Sequence, residues 1–193
     1  MPARVIRNRD LVRVPWKNGG GTTAEVAAYP EGSTFDTFGW RVSMADVASD
    51  GPFSRFPGID RTLILVEGEG IELDVEGIVY PLDRATPKLS FSGDDITAGR
   101  LPSGPIRDLN VMTRRGRFRH RTRFVESGVA LLPEDASLGF LVPLDGPFDV
   151  TLESTIHSLQ PLDALMIEAT QDLILMSGTG RAILIEIAPD ASA

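Results

Sequence analysis

The sequence has no cysteine in its 193 residues, which excludes disulfide bonds, thiolate catalysis and cysteine-ligated zinc. Histidine is almost as scarce, because only His120 and His157 are present and they lie far apart along the chain. A histidine-based transition-metal centre needs about three histidines and a carboxylate close together. The motif Gly-x-Ser-x-Gly is also missing, and two histidines build no recognisable catalytic triad. We therefore expect no bound metal, no other cofactor and no catalytic residue of these kinds.

Long apolar runs and an excess of basic residues are missing as well. No stretch approaches the roughly eighteen consecutive apolar residues of a membrane-spanning helix, and the N-terminus shows no signal-peptide pattern. Acidic residues outnumber basic ones by 27 to 19, so the formal net charge is −8. A surface of this sign repels nucleic acids and anionic membranes. We expect a cytoplasmic protein that has neither nucleic acid nor membrane as a partner.

Short apolar runs separated by turn residues dominate what is present. The chain has 19 glycines and 14 prolines, and their recurrence between runs rich in Val, Ile, Leu, Phe or Thr is typical of an all-β protein. Only Leu162 to Thr170 competes as a short helix. The predicted strands are Thr62 to Val66, Ile71 to Val75, Ile78 to Leu82, Leu138 to Val142, Phe148 to Leu152, Leu173 to Met176 and Ala182 to Ile187.

Two parts of the chain resemble each other. The run from Phe140 to Gly146 repeats the pattern of Thr62 to Gly68, and Pro161-Leu162-Asp163 repeats Pro81-Leu82-Asp83. The similarity is short, and chance is the alternative explanation. A repeat of this length nevertheless fits a small β-barrel duplicated within one chain. The repeat predicts a first domain at residues 1–115 and a second at residues 116–193.

The predicted boundary carries a run of arginines. Six arginines fall between Arg114 and Arg123, and from Arg117 onwards they alternate with less polar residues. On a strand, alternate side chains point to one face, so the guanidinium groups would share that face. The functional interpretation is a patch that binds anions, nucleic acid or a partner protein. We favour the structural interpretation, a solvated strand face whose arginines meet the surplus carboxylates.

The segment from Val14 to Val26 contains three consecutive glycines at positions 19–21. Glycine permits positive φ and a close approach of the backbone to another group. Trp16, Lys17 and Asn18 add a stacking surface, a positive charge and an amide just before it. The phosphate-binding P-loop pattern is excluded, because here the lysine precedes the glycines. The alternatives are a binding loop and a tight turn into a strand from Thr22 to Val26.

Two further strands carry one polar face each. Alternation places Arg41 and Ser43 on one face of the strand at residues 39–44, and Asn110 and Met112 on one face of the strand at residues 107–112. These faces either line a pocket or meet water. Between the two strands, the loop from Gly51 to Arg61 carries Phe53 and Phe56, which we expect to cover a barrel mouth.

Convergence of Lys17, Arg41 and Arg61 would make that pocket cationic. Unpaired charges in a desolvated site are costly unless an anion satisfies them. A carboxylate-bearing ligand is therefore the expected partner. The alternative is that Asp60 or Glu25 already pairs with these cations.

Five blocks of the chain resemble the HutD/Ves family in order and spacing, within residues 14–114. The resemblance implies a bicupin, that is, two fused cupin-type β-barrels with few short helices and with the pocket in the first barrel. It also implies an association with histidine utilisation, for which regulation through N-formylglutamate has been proposed, and it brings no established catalytic activity. The sequence departs from the family's pattern at one point, where a second aspartate, Asp95, follows Asp94. The blocks are Pro15 to Thr23, Trp40 to Ser43, Gly51 to Arg61, Phe91 to Asp94 and Asp108 to Met112.

We therefore predict a metal-free binder of a small carboxylate metabolite, monomeric or homodimeric. The alternatives are a metal-independent isomerase or hydrolase with Lys17 or Glu25 as the acid/base group, and an interaction scaffold that uses the arginine run. The predicted ligand-binding residues are Trp16, Lys17, Asn18, Thr23, Glu25, Arg41, Ser43, Phe56, Arg61, Asn110 and Met112.

Overall fold

A computed structural model describes residues 3–168 and 172–190. Within these residues all of the regular secondary structure is β-strand, apart from a single 3₁₀ turn at Asn8–Asp10. None of the described segments forms a helix that is long and apolar enough to span a membrane. The strands are β1 (Ala3–Ile6), β2 (Arg13–Pro15), β3 (Gly21–Tyr29), β4 (Trp40–Val47), β5 (Gly51–Pro52), β6 (Ile59–Glu67), β7 (Ile71–Val75), β8 (Ile78–Leu82), β9 (Lys88–Ser92), β10 (Thr97–Arg100), β11 (Ile106–Arg114), β12 (Phe118–Val125), β13 (Gly128–Ala130), β14 (Leu138–Pro143), β15 (Phe148–Leu152), β16 (Thr155–Leu159), β17 (Ala164–Glu168), β18 (Ile174–Gly178) and β19 (Ala182–Pro189).

The chain divides into two compact units. The first unit is Leu11–Arg117, and the second unit contains the described residues from 118 onwards together with residues 3–10. The N-terminal segment belongs to the second unit because β1 pairs with β17 in antiparallel register, Ala3 opposite Ile167 and Ile6 opposite Ala164.

The first unit consists of two antiparallel sheets. One has six strands in the order β2-β3-β4-β11-β6-β9, and the other has four in the order β5-β10-β7-β8. Alternate apolar side chains of both sheets form a common core, in which Leu63 and Leu65 of β6 pack with Ile71 and Leu73 of β7. Burial of such faces on the inside of two sheets is the main stabilising contribution in an all-β unit.

The second unit repeats this arrangement. Its sheets have the orders β1-β17-β14-β19-β12 and β13-β18-β15-β16. The shared part of the larger sheet is β4-β11-β6-β9 in the first unit and β12-β19-β14-β17 in the second, and the smaller sheets correspond strand for strand. Eight strands thus follow one another in the same order twice. This agreement in topology supports the internal repeat that the sequence suggested at Pro81 and Pro161.

The seven predicted strands are all present, three of them with the predicted ends, namely β7, β8 and β15. The alternative of a short helix from Leu162 to Thr170 does not hold in the part that the structure describes, because residues 164–168 form β17. Leu165 and Ile167 are fully buried, and β17 pairs with β1 on one side and with β14 on the other. Pairing on both sides outweighs local helix propensity. Ala169 and Thr170 lie outside the described residues.

Three of the six arginines in the run meet carboxylates, which agrees with the structural interpretation for these three. Arg115 in the first unit contacts Asp60 at 2.8 Å and Asp94 at 3.0 Å. In the second unit Arg123 pairs with the buried Glu186 at 3.0 Å, and Arg119 pairs with Asp135.

Candidate functional site

The triple-glycine segment forms the tight turn between β2 and β3. Gly19 has a φ of 72°, and the amide of Gly20 donates to the side-chain oxygen of Asn18 at 3.0 Å. A Cβ on Gly21 would lie 2.3 Å from the carbonyl oxygen of Asp46, a distance that no side chain tolerates. The backbone therefore requires glycine at two of the three positions, and the Asn18 side chain stabilises the turn through its hydrogen bond.

Arg41 lies on the inner face of the six-stranded sheet and is only 8% exposed. Its Nε donates to Oε2 of Glu25 at 2.8 Å, and its Nη1 donates to Oγ of Ser43 at 2.9 Å. The guanidinium carbon lies 5.1 Å from the ring centroid of Phe35. The remaining terminal nitrogen, Nη2, has no hydrogen-bond partner among the described residues. It remains available to an acceptor from outside the chain.

Arg61, on β6, is more deeply buried, at 4% exposure. Aromatic rings surround it, since its guanidinium carbon lies 5.0 Å from the ring of Phe91, 5.3 Å from that of Phe56 and 5.8 Å from that of Phe53. Nη1 donates to the carbonyl of Ser54 at 3.2 Å, but Nε is buried and has no partner in the part of the chain that the structure describes. Burial lowers the pKa of Arg61 to about 10, and the neighbouring positive charge of Arg41 acts in the same direction. The two guanidinium groups are therefore close enough to repel each other.

Asp108 is the counter-charge on β11, and none of its surface is exposed. Its Oδ1 accepts a hydrogen bond from the Asn110 amide, whereas Oδ2 is buried and has no hydrogen-bond partner among the described residues. Burial raises the pKa of Asp108 to about 7, against the opposing effects of the Arg61 charge and the Asn110 hydrogen bond. Near neutral pH this carboxyl group is therefore only partly ionised, and it compensates the two guanidinium charges incompletely.

A cleft of about 410 Å³ lies beside this cluster, and Phe35 and Phe56 are part of its wall. Arg41 and Arg61 do not line the cleft. The rings of Phe35 and Phe56, whose centroids are 5.5 Å apart, line the cleft and also contact the guanidinium groups of Arg41 and Arg61, respectively. Two other arginines do line the cleft. Arg55 donates to the carbonyl of Asp94, and Arg114 donates to the carbonyls of Phe38 and Asp36. Neither forms an ion pair among the described residues, and Asp36 is the one carboxylate in the lining, so the cleft has an excess of positive charge.

The predicted site residues fall into two groups. Glu25, Arg41, Ser43, Arg61, Asn110, Phe56 and Met112 come together on the inner face of the first unit, as the contacts above and the packing of Met112 with Phe56 show. Trp16 and Thr23 pair with each other at 2.7 Å, and Trp16 packs against the core of the first unit. Asn18 belongs to the turn. Lys17 is exposed and has no ion pair or hydrogen bond among the described residues.

Three features of the site were not predicted. Asp108 follows from strand alternation, because it lies two residues before Asn110 on the same face. Phe91 follows from pairing, since it stands opposite Arg61 on β9. Phe35 lies in a loop, where no periodic pattern marks it. As for the open alternative, Glu25 does pair with Arg41, whereas Asp60 pairs with Arg115 and not with Arg61.

Comparison with known proteins matches the chain to one family along nearly its whole length. The HutD family model matches residues 8–184. An uncharacterised 21.2 kDa protein of the hutC 3′ region of Pseudomonas putida is 33% identical over 189 residues, which is 95% of this chain and 96% of that protein. Protein Ves of Citrobacter koseri is 38% identical over 122 residues, 61% of this chain and 62% of that protein.

Solved structures give the same result. HutD from Pseudomonas fluorescens SBW25 superimposes with a TM-score of 0.84 at 33% identity, covering 98% of this chain and all of that one. At the level of fold alone, a cupin 2 conserved barrel domain protein from Leptotrichia buccalis superimposes with a TM-score of 0.60 at 10% identity, covering 97% of this chain and 96% of that one. The architecture is thus all-β and of cupin type.

Proposed function

The chain belongs to the HutD family, and on that premise we propose that it is a metal-free protein that binds a small carboxylate metabolite in its first unit. The relative from the hutC region of Pseudomonas putida supports a role in histidine utilisation. We further propose that the two units are two fused cupin barrels, which the doubled strand order supports, and that the protein acts in the cytoplasm as a monomer or homodimer.

One observation carries the proposal, namely the pair of buried guanidinium groups of Arg41 and Arg61. Their positive charges face one ionised carboxylate, Glu25, and one partly ionised carboxyl group, Asp108. Among the described residues, Nε of Arg61 has no hydrogen-bond partner, and the hydrogen bonds of Arg41 come from Nε and Nη1, which leaves its Nη2 unused. A carboxylate supplies both the missing negative charge and the missing acceptors, and a guanidinium matches it in geometry.

The aromatic side chains define the rest of the ligand's environment. Phe35 and Phe56 border both the guanidinium groups and the cleft, and Arg55 and Arg114 add positive charge on the cleft side. This distribution favours a ligand with an apolar middle and more than one acceptor. N-formylglutamate, with two carboxylates and a formyl oxygen, has this chemistry, and it is the ligand that we propose.

The test is a calorimetric titration of the protein, at neutral pH, with N-formylglutamate, glutamate, urocanate and histidine. We expect binding of N-formylglutamate in the micromolar range and weaker binding of the other three. Arg41→Met should abolish binding and leave the melting temperature of the ligand-free protein nearly unchanged, because Glu25, with a side chain that is 44% exposed, can be solvated instead.

Arg100→Met is the matched control. It removes an arginine of the same unit that pairs with a carboxylate, Glu72, at 2.6 Å on the surface, and binding should not change. Absence of binding for all four compounds, or equal loss in both variants, would contradict the proposal. Proton NMR spectra of the same mixtures over several hours would reveal turnover, which the binding proposal does not expect.

A further inference from the structure

Asp108 has a position that binding alone does not explain. It is completely buried on β11, yet one of its carboxyl oxygens has no hydrogen-bond partner within residues 3–168 and 172–190. It stands opposite Ala45 on β4 and Leu65 on β6, both of them apolar. No arginine or lysine nitrogen lies within ion-pair distance of it among the described residues. A carboxyl group in these surroundings holds its negative charge only with help from more distant groups.

That help comes through Asn110. Arg61 donates from Nη2 to Oδ1 of Asn110 at 3.0 Å, and Nδ2 of the same amide donates to Asp108. The Asn110 amide therefore joins the cation that would hold the ligand to the carboxyl group behind it. Two of the three buried side-chain atoms that have no hydrogen-bond partner among the described residues, Nε of Arg61 and Oδ2 of Asp108, belong to the residues at the two ends of this chain of hydrogen bonds.

The charges around Asp108 decide how it responds to a ligand. Arg61 on β6 attracts a negative charge at Asp108, whereas Asp46 on β4 opposes it. The positive charge of Arg41 on β4 repels that of Arg61 and lowers the pKa of Arg61. In the small sheet, the core side chains from β7, Ile71 and Leu73, are apolar. Arg61 is thus the main positive charge that keeps Asp108 ionised. A carboxylate bound at Arg61 and Arg41 would neutralise that attraction and add a repulsion.

We propose that Asp108 is a positioning residue that takes up a proton when a carboxylate binds to Arg41 and Arg61, so that the site selects its ligand by charge. The inference rests on the proposed binding function. With Asp108 ionised, Glu25 and Asp108 balance the two guanidinium groups, and a neutral ligand meets a neutral site. With Asp108 protonated, one guanidinium charge is uncompensated, and the carboxylate of the ligand supplies the negative charge that Asp108 has lost. Ligand and proton therefore bind together.

The direction of the pH effect follows. Burial already holds the pKa of Asp108 at about 7 in the ligand-free protein, and a bound anion raises that pKa further. Between the two pKa values, affinity should fall as pH rises, by up to about tenfold per pH unit. Below the lower value Asp108 is protonated with or without ligand, and affinity should not depend on this group.

The experiment is calorimetric titration of the full chain with N-formylglutamate at pH 7.5 in several buffers of different ionisation enthalpy. The slope of the observed enthalpy against the buffer enthalpy counts the protons taken up. We expect net proton uptake in the wild type and none in Asp108→Asn, which mimics the protonated form. The variant should therefore bind at pH 7.5 at least as tightly as the wild type does, and its affinity should not depend on pH. Asp149→Asn, which removes an exposed carboxylate in the second unit, should keep the uptake.

Infrared difference spectra of the wild type provide a readout that needs no variant. Addition of ligand should produce the C=O stretch of a protonated carboxylic acid. Binding without proton uptake, or uptake that persists in Asp108→Asn, would overturn this inference and leave the binding function standing. No binding of N-formylglutamate or glutamate to the wild type would overturn both.

Discussion

Arg61 and Asp108 are joined by one amide, because Asn110 accepts from Arg61 with its oxygen at 3.0 Å and donates to Asp108 with its nitrogen. This arrangement fixes the orientation of the Asn110 side chain, since the reversed amide would place a donor against a donor and an acceptor against an acceptor. The arginine and the carboxyl group therefore depend on each other for hydrogen bonding as well as for charge, and their variants should reveal this dependence.

Arg61→Met should destabilise the ligand-free protein in a pH-dependent way. The variant removes the main positive charge acting on Asp108 and so raises the pKa of Asp108 above its wild-type value of about 7. Below pH 7 Asp108 is protonated in both folded proteins, and the loss should be constant. Above pH 7 the loss should grow by up to about 1.4 kcal/mol per pH unit. Urea unfolding of both proteins from pH 6 to pH 9 measures the difference.

Arg100→Met again serves as the control, because the side chain of Arg100 is 63% exposed and pairs with Glu72 on the surface. Its effect should stay within about 0.5 kcal/mol and should not change with pH in this range. A loss in Arg61→Met that is the same at pH 6 and pH 9 would show that Asp108 does not depend on Arg61.

Asp108→Asn should stabilise the ligand-free protein at neutral and alkaline pH. The folded-state pKa of Asp108 lies above its unfolded value of 3.8, so the stability that its protonated form contributes is present in acid and is lost as pH rises towards 7. An asparagine does not titrate. The free energy of unfolding of the variant, relative to wild type, should therefore rise between pH 4 and pH 7, by at most about 1.4 kcal/mol per pH unit, and then level off. A flat difference would refute the raised pKa.

Much of this fold could be predicted from composition and alternation, because strands in a two-sheet unit bury every second residue and turns need glycine, proline or aspartate. Arg41, Ser43 and Asn110 were predicted on the same reasoning. Asp108 was not, although it occupies the same strand face, since a carboxylate suggests exposure until its burial is seen. Lys17 was predicted to join the arginine residues but is exposed on the turn. The sequence reveals a charge next to glycines, but not the direction in which the turn points that side chain. The position of Phe35 depends on its tertiary contacts with Phe56 and Arg41, which no local sequence pattern reveals.

Asp163→Asn should destabilise the second unit. Burial would raise the pKa of Asp163, but hydrogen bonds from Arg7 and from the amides of Gln160 and Asn8 outweigh it, and the pKa is lowered. The stability that this carboxylate contributes is therefore present above its unfolded value of 3.8 and lost as pH falls through the lower folded value. We expect a loss of about 2–3 kcal/mol at pH 7, which shrinks below pH 4.

The side chain of Asp163 is only 5% exposed, whereas its counterpart in the repeat, Asp83, is an exposed turn residue that accepts from the amides of Ala85 and Thr86. Asp83→Asn is therefore the matched control and should change the free energy of unfolding much less than Asp163→Asn does. Hydrogen exchange of the β1 amides should accelerate in Asp163→Asn alone, because Asp163 anchors Arg7 and Asn8 directly after that strand. Unchanged exchange would show that pairing of β1 with β17 suffices to hold the segment.

Gly21→Ala should strongly destabilise the first unit. The new methyl group would lie 2.3 Å from the carbonyl oxygen of Asp46 and 3.1 Å from the ring of Trp16, so either the β3–β4 pairing or the Trp16 side chain must shift. We expect a loss of about 3 kcal/mol in the free energy of unfolding. Gly51→Ala is the control, because a methyl group there meets nothing within 4 Å, and its effect should be within about 1 kcal/mol.

The same pair of variants separates a structural turn from a binding loop. The hydrogen bonds of the turn do not involve Arg41 or Arg61. Gly21→Ala should therefore weaken binding of N-formylglutamate only in proportion to the fraction of unfolded protein. Titration well below the melting temperature of the variant measures this. Loss of affinity in a fully folded Gly21→Ala protein, with Gly51→Ala unaffected, would mean that the turn residues Lys17 and Asn18 contact the ligand, and that the site extends from the guanidinium pair to the β2–β3 turn.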